Sequence, residues 1–310
     1  MLQSRLSKAA HLIAFAVLSC GIDGWGLPLF VAQKSNFQEM SSSSEPYDGP
    51  CAEPPYLAII TERDACNTHE HVEATFEAIS KAVETGKVDV VSIRLSRPTN
   101  DKELFDVHNR ALDLTKRLVQ LAENTESEPP TGTPNFWVVC SSDWVDLALE
   151  ANAHGVHVKE AHISKIPNIR QAAIRSNFVI GTSTHSVSSA IDSYRVHRPD
   201  YYFAGTCFRT PSHPEKTEEE LEGPTFPGEV RQALQHEITK SGREDTCPVV
   251  FGIGGLDETN CDIPVSHGVD GVAVIRAVLQ SPNPAETTAA IYSNMKFAIS
   301  DRRKELPCQD

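Results

Sequence analysis

Short β-rich runs alternate with helical stretches eight times beyond Tyr56, and this alternation limits the fold more than any other feature of the chain. The runs are YLAIIT (56–61), VDVVSIR (88–94), FWVVC (136–140), GVHV (155–158), FVIGTS (178–183), DYYFAG (200–205), PVVFGIG (248–254) and GVAVI (271–275). Between them the spacing predicts helices over 70–84, 101–123, 143–153, 164–175, 186–196, 227–238, 258–266 and 284–304. Strands separated by helices run parallel, and such strands are apolar on both faces. Eight strand–helix pairs in about 250 residues describe a single α/β domain, the (β/α)8 or TIM barrel. A doubly wound open sheet is the alternative, but no GxGxxG follows the first strand.

The chain has 310 residues, 40% of them apolar and 23% charged, which suits a globular protein with a sizeable core. Its net charge of −14 argues against nucleic acid as a partner, because that needs a basic footprint. The same charge repels phosphorylated ligands at long range, so a phosphate site has to rely on local donors. Eight cysteines form no CxxC and no zinc-like spacing, and they leave the redox compartment open. At the N-terminus, Arg5 and Lys8 precede the apolar run AAHLIAFAVLSCGI, followed by the serines 41–44. That is the layout of a signal, too short and interrupted for a stable membrane span. Residues 1–50 therefore read as a targeting presequence and linker, with a plastid reached through the secretory route as the expected destination. A disordered tail with a fortuitous apolar patch is the alternative.

In a barrel, chemistry sits just past the C-terminal ends of the strands. The seventh strand ends in GIGG, with Gly254 and Gly255, and the eighth runs into Ile275 and Arg276. Loops after these two strands are the usual phosphate site of such barrels. Glycines let backbone N–H groups approach an anion, and a helix start adds partial positive charge. The plainer reading is glycine for tight turning and an ordinary helix start. The fifth strand ends in Thr182-Ser183-Thr184-His185-Ser186, which reads either as a helix cap or as a substrate-facing strand end. Two long interruptions differ in place. ENTESEPPTGTPN (123–135) lies on the stability face, whereas RTPSHPEKTEEELEGPTFPG (209–228) lies on the catalytic face and is a candidate lid.

From residue 54 to 300 the chain resembles the thiamine phosphate synthase / TenI family. The resemblance rests on VDVVSIRLSR, SDWVDLAL, GVHV, VIGTSTHS, DYYFAGTCFRTPS, PVVFGIGG and GVDGVAVIRAV, in that order. It implies one (β/α)8 barrel binding thiazole phosphate at the strand C-termini. It also implies roles for single residues. Gly254, Gly255 and the backbone of Ile275 and Arg276 would hold the phosphate. Thr210 and Ser212 would line the ligand, Ser183 would contact pyrophosphate or the thiazole side, and Arg94 would reach a phosphate or carboxylate. His185 falls where the TenI branch has its catalytic histidine.

Several positions depart from the synthase pattern. The second-strand motif QLREK is here Ser92-Ile93-Arg94-Leu95-Ser96, with Arg97 displaced by one place. The Asn-Asp pair after the third strand is Ser142-Asp143, the second Asp is replaced by His162, and the sixth-loop lysine falls at His213. A synthase uses Mg²⁺ and lysines to neutralise departing pyrophosphate. Asp143 remains as a metal candidate, though it is equally suited to capping the helix from Trp144. The thiazole half is better kept, which favours a tautomerase-type proton transfer by His185 that needs no cofactor. The alternatives are the synthase reaction with Mg²⁺, joining hydroxymethylpyrimidine pyrophosphate to thiazole phosphate, and a non-catalytic thiazole or thiamine phosphate binder. The expected partner is a small phosphorylated thiazole, with a homo-oligomer left open.

Overall fold

Alternate residues of a strand face opposite ways, and here both sets are apolar, so each strand is covered on two sides. The computed structural model describes residues 53–123, 134–173, 177–242 and 246–305. The expected presequence over 1–50, and all but the ends of the 123–135 insertion, lie outside them. Eight parallel strands close in sequence order: β1 (Tyr56–Ile60), β2 (Val90–Ile93), β3 (Trp137–Ser141), β4 (Gly155–Val158), β5 (Val179–Thr184), β6 (Tyr201–Ala204), β7 (Val249–Ile253) and β8 (Gly271–Val274). The ring closes through β8 and β1, with Leu57 beside Val272 and Ile59 beside Val274. The expected barrel is thus the fold.

One set of strand residues fills the interior: Ala58, Ile60, Val90, Val139, Tyr201, Phe203 and Phe251 form one buried cluster. The other set, including Leu57, Ile59, Val138, Val156, Ile180 and Tyr202, packs under the helices. Those helices are α1 (His69–Val83), α2 (Asp101–Glu123), α3 (Val145–Glu150), α4 (Ile166–Ala172), α5 (Val187–His197), α6 (Phe226–Ser241), α7 (Asp262–Ser266), α8 (Arg276–Leu279) and α9 (Pro284–Glu305). None of the described helices is long and apolar enough to cross a membrane. Caps account for several boundaries. Thr68 accepts from the His71 amide at 3.2 Å, and Ser186 accepts from the Ser189 amide at 3.1 Å. Ser186 is therefore the cap of α5, while the residues before it belong to β5 and its mouth.

Three helices differ from the expected spans. The stretches predicted over 143–153 and 164–175 begin as tight 3-10 turns at Ser142–Trp144 and Glu160–Lys165. Asp143 lies inside the first turn and caps nothing, which corrects the capping alternative. The helix predicted over 258–266 shrinks to Asp262–Ser266. Asp257 there accepts from the Thr259 amide at 2.8 Å, a local turn that competes with helix.

The floor of the barrel carries a repeated device. The residue just before each even strand clasps the preceding odd strand with both backbone and side chain. Asp89, His154, Asp200 and Asp270 donate their amides to the carbonyls of Leu57, Val138, Ile180 and Val250. Their side chains accept from the amides of those same residues, at 2.8, 2.9, 2.7 and 3.0 Å. Asp270 also holds Arg231, with Nε 2.8 and 3.0 Å from its two oxygens. Asp270→Ala leaves a buried amide and a largely buried guanidinium without their acceptor, and is expected to cost about 3–5 kcal/mol. Asp270→Asn, which keeps one oxygen for Val250, is expected to cost less. Urea unfolding midpoints of the two variants check this ordering.

Candidate active site

The strand C-termini bring together chemistry that the sequence scatters over more than two hundred residues. A cavity of about 250 Å³ opens there, lined by Glu62, Arg63, Asp64, Arg94, Ser96, Pro211, Ser212 and Arg276. Three arginines face the two carboxylates Glu62 and Asp64 there, which leaves a small excess of positive charge in a chain of net charge −14. Arg94 follows β2, and its backbone is pinned to Thr61, whose Oγ1 accepts from the Arg94 amide at 2.8 Å. Burial, and then the charges of Arg63 and Arg276, push the Arg94 guanidinium down to about 10, still cationic at neutrality. Among the described residues, the buried Arg94 Nε and Ser212 Oγ have no hydrogen-bond partner. Such orphaned donors beside a cavity suit an anionic ligand. Arg276 is held by Glu62 at 3.1 Å, and Gln280 donates to the same Glu62 oxygen at 2.7 Å. The sequence had suggested only the Arg276 amide; its guanidinium faces the cavity as well.

The glycine loop after β7 packs on the loop after β6. Gly254 and Gly255 have φ of +104° and +62°, and a Cβ on Gly255 would lie 2.4 Å from the Arg209 carbonyl oxygen. Gly255 thus serves both a left-handed turn and a close approach. Among the described residues, the amides of Gly255 and Arg276 meet no protein acceptor. They are available to an anion. Thr210 Oγ1 accepts from the Ser212 amide at 3.3 Å and shapes the loop that carries Ser212 into the cavity.

Across the mouth, His185 extends from the end of β5, with 47% of its side chain exposed. Its Nδ1 lies 3.1 Å from Glu222 Oε1, in the LEG stretch of the long sixth loop. Glu222 is itself well buried and is held by the Thr206 amide and by Lys216 Nζ at 2.9 and 3.0 Å. Burial pushes the Glu222 carboxyl up, but the Thr206 amide and Lys216 outweigh it and keep the group below the usual carboxylate range. An ionised Glu222 accepts the Nδ1 proton and leaves Nε2 free as a base. His213, where the family lysine was aligned, instead meets Glu215 at 3.0 Å. The lysine that enters the site is Lys216, three residues further on. Sequence reading missed Lys216, Glu222 as the His185 partner, and Arg63, because only folding of the sixth and first loops brings them to the mouth.

Asp143 stands apart in a cationic nest. Lys159 Nζ is 2.7 Å from one carboxylate oxygen, while His162 Nδ1 and Lys165 Nζ lie 3.5 and 3.7 Å from the other. Arg97 donates to the Asp143 carbonyl at 3.3 Å. The hydrogen bond from Lys159, above all, holds the Asp143 carboxyl below its usual range. Magnesium is commonly held by one or two carboxylates together with waters and substrate phosphates. Here the one carboxylate is already neutralised on both oxygens, and no group of three His, Cys, Asp or Glu among the described residues could hold a metal. In this structure Asp143 is an ion-pair partner, and a metal there would have to displace Lys159 or Lys165.

Ser183 belongs to the inner wall. It lies 2.8 Å from His157 Nε2 on β4, and His157 Nδ1 lies 3.2 Å from the Tyr201 hydroxyl. His157 is a further residue the sequence did not single out; it sat unremarked inside the strand GVHV.

Residues 137–278 match the family model described as thiamine monophosphate synthase. A thiamine-phosphate synthase of Desulfitobacterium hafniense is 31% identical over 209 residues, covering 67% of this chain and 83% of that protein. One from Listeria monocytogenes serovar 1/2a is 39% identical over 142 residues, 45% of this chain and 58% of the relative's length. The chain thus spans little more than half of the first relatives it matches. Among solved structures, the thiamine phosphate pyrophosphorylase of Pyrococcus furiosus superposes with a TM-score of 0.53 at 21% identity, over 79% of this chain and 96% of that one. At that identity the likeness concerns the fold.

Proposed function

Because the chain belongs to the thiamine monophosphate synthase / TenI family, we propose that it acts in thiamine biosynthesis on a phosphorylated thiazole, by acid–base transfer of a proton. The observation that carries this reading is the His185–Glu222 pair at 3.1 Å, on the same strand-C-terminal face of the barrel as an arginine-lined cavity. Arg94, Arg276 and the amides of Gly255 and Arg276 bind the anionic ends of the ligand. His185 Nε2 takes a proton from the thiazole ring and returns it at a neighbouring atom, so no oxidant or second substrate is needed. Glu222 keeps the Nδ1 proton in place during the transfer. No step in this reading runs through a metal.

A second reading, the synthase reaction, is favoured by the names of the relatives. Lys159, Lys165 and Arg97 could then neutralise a departing pyrophosphate in place of the metal. Incubation with thiazole carboxylate phosphate, with and without pyrimidine pyrophosphate and Mg²⁺, separates the two. Isomerisation of the thiazole under all four conditions is expected. Robust thiamine phosphate formation that depends on Mg²⁺, without isomerisation, would overturn the proposal in favour of the synthase.

A further inference from the structure

Beneath the mouth lies a partly buried polar chain that the His185–Glu222 pair does not use. Tyr201 is fully buried, and its ring occupies the space over Gly181: a Cβ there would lie 1.9 Å from Tyr201 Cζ. The imidazole of His157 stacks on Phe203 at 4.5 Å and 27°, and on Tyr201 at 5.7 Å and 29°. Rings packed this closely fix the positions of the Tyr201 hydroxyl, His157 and Ser183 in a row. The row runs from the floor side of the interior toward the mouth.

A neutral imidazole carries one N–H and one bare nitrogen, which leaves two ways to proton-order this row. In the first, the phenol donates to Nδ1 and the Nε2–H donates to Ser183, whose own hydroxyl hydrogen then points elsewhere. In the second, Nδ1–H donates to the phenol oxygen and Nε2 accepts from Ser183, making a base–nucleophile pair. Donor and acceptor strengths favour the first. A phenol is the more acidic hydroxyl, and its oxygen is the poorer acceptor because its lone pair is shared with the ring. Both orders make two hydrogen bonds, but only the first pairs the stronger donor, the phenol, with an imidazole nitrogen as acceptor. Burial, and then the charge of Arg94, push the His157 imidazole down to about 3, so it remains neutral wherever the protein is folded and working.

We propose that His157 is a positioning residue, held by Tyr201 as the Nε2–H tautomer, which donates to Ser183 and thereby fixes the serine hydroxyl as a donor to an anionic oxygen of a ligand at the barrel mouth. The ligand half of this statement rests on the reading of the arginine mouth as an anion site; the tautomer half does not.

Nitrogen-15 NMR of the full chain labelled in histidine, without ligand, reads the tautomer directly. The His157 signals, identified by their loss in His157→Gln, are expected to show a protonated Nε2 and a bare Nδ1, unchanged between about pH 5 and 9. Tyr201→Phe is expected to lose this single tautomer. Should Tyr201→Phe not fold, Ser183→Ala serves instead: it is expected to keep the Nε2–H tautomer while weakening inorganic pyrophosphate binding about tenfold. A protonated Nδ1 in the wild type, or titration near neutrality, overturns the relay. Pyrophosphate binding unaffected by both Ser183→Ala and Arg94→Met overturns the ligand half and the anion reading of the mouth, while leaving a confirmed tautomer standing.

Discussion

His185→Ala is expected to lower turnover of a thiazole carboxylate phosphate by about a hundred- to ten-thousandfold, the usual worth of a positioned acid–base group. Affinity for the phosphate should be unchanged, because the donors assigned to it lie on other loops. Glu222→Gln should fall between wild type and His185→Ala. It keeps an oxygen near Nδ1 but loses the charge that steadies the proton there. Glu222 is held ionised by Thr206 and Lys216 to below the usual carboxylate range. Its titration therefore cannot limit activity near neutrality. Steady-state kinetics of the two variants across pH check both statements.

Arg94→Met is expected to weaken binding of a phosphorylated ligand by about ten- to a hundredfold, the loss of one or two charge-assisted hydrogen bonds. The same change should leave stability unaltered or slightly higher. Arg94 is a half-buried cation facing two other arginines, and its Nε has no protein partner among the described residues. Removing it relieves repulsion and desolvation while sparing the backbone link to Thr61. Arg94→Lys should not restore affinity, since a point charge cannot reproduce the planar fork. Calorimetry with inorganic pyrophosphate, run beside thermal unfolding, tests the pair of outcomes. Reduced binding with reduced stability would mark Arg94 as a structural residue instead.

Much of this architecture was legible in the chain because parallel strands leave a strong signal. VDVVSIR and PVVFGIG are apolar on both faces, and the observed strands fall within about one or two residues of the expected ones. Ser186 was legible as a cap and His185 as a mouth residue, since both follow from a strand ending in hydroxyls. What stayed hidden depends on loops meeting across the mouth. Nothing in TERD announces that Arg63 will line the same cavity as Arg276, and LEG gives no sign that its glutamate reaches a histidine 37 residues earlier. The ion pairs of Asp143 stayed hidden because its partners, Lys159 and Lys165, come from the next strand's loop. A carboxylate's neighbours, not its identity, decide between metal ligand and ion pair. His157 was overlooked for the opposite reason: a histidine inside a short apolar strand reads as core, and only the spacing to Ser183 and Tyr201 reveals a chain of hydrogen bonds.

The central claim is a metal-free proton transfer at the thiazole, and deuterium uptake measures it most directly. Thiazole carboxylate phosphate is incubated with the full chain in D₂O containing EDTA, and proton NMR follows both exchange and isomerisation. The account predicts isomerisation with deuterium entering the ring product, abolished in His185→Ala and retained in Asp143→Asn. Absence of exchange and isomerisation in EDTA, with activity appearing only on addition of Mg²⁺ and pyrimidine pyrophosphate, would contradict it.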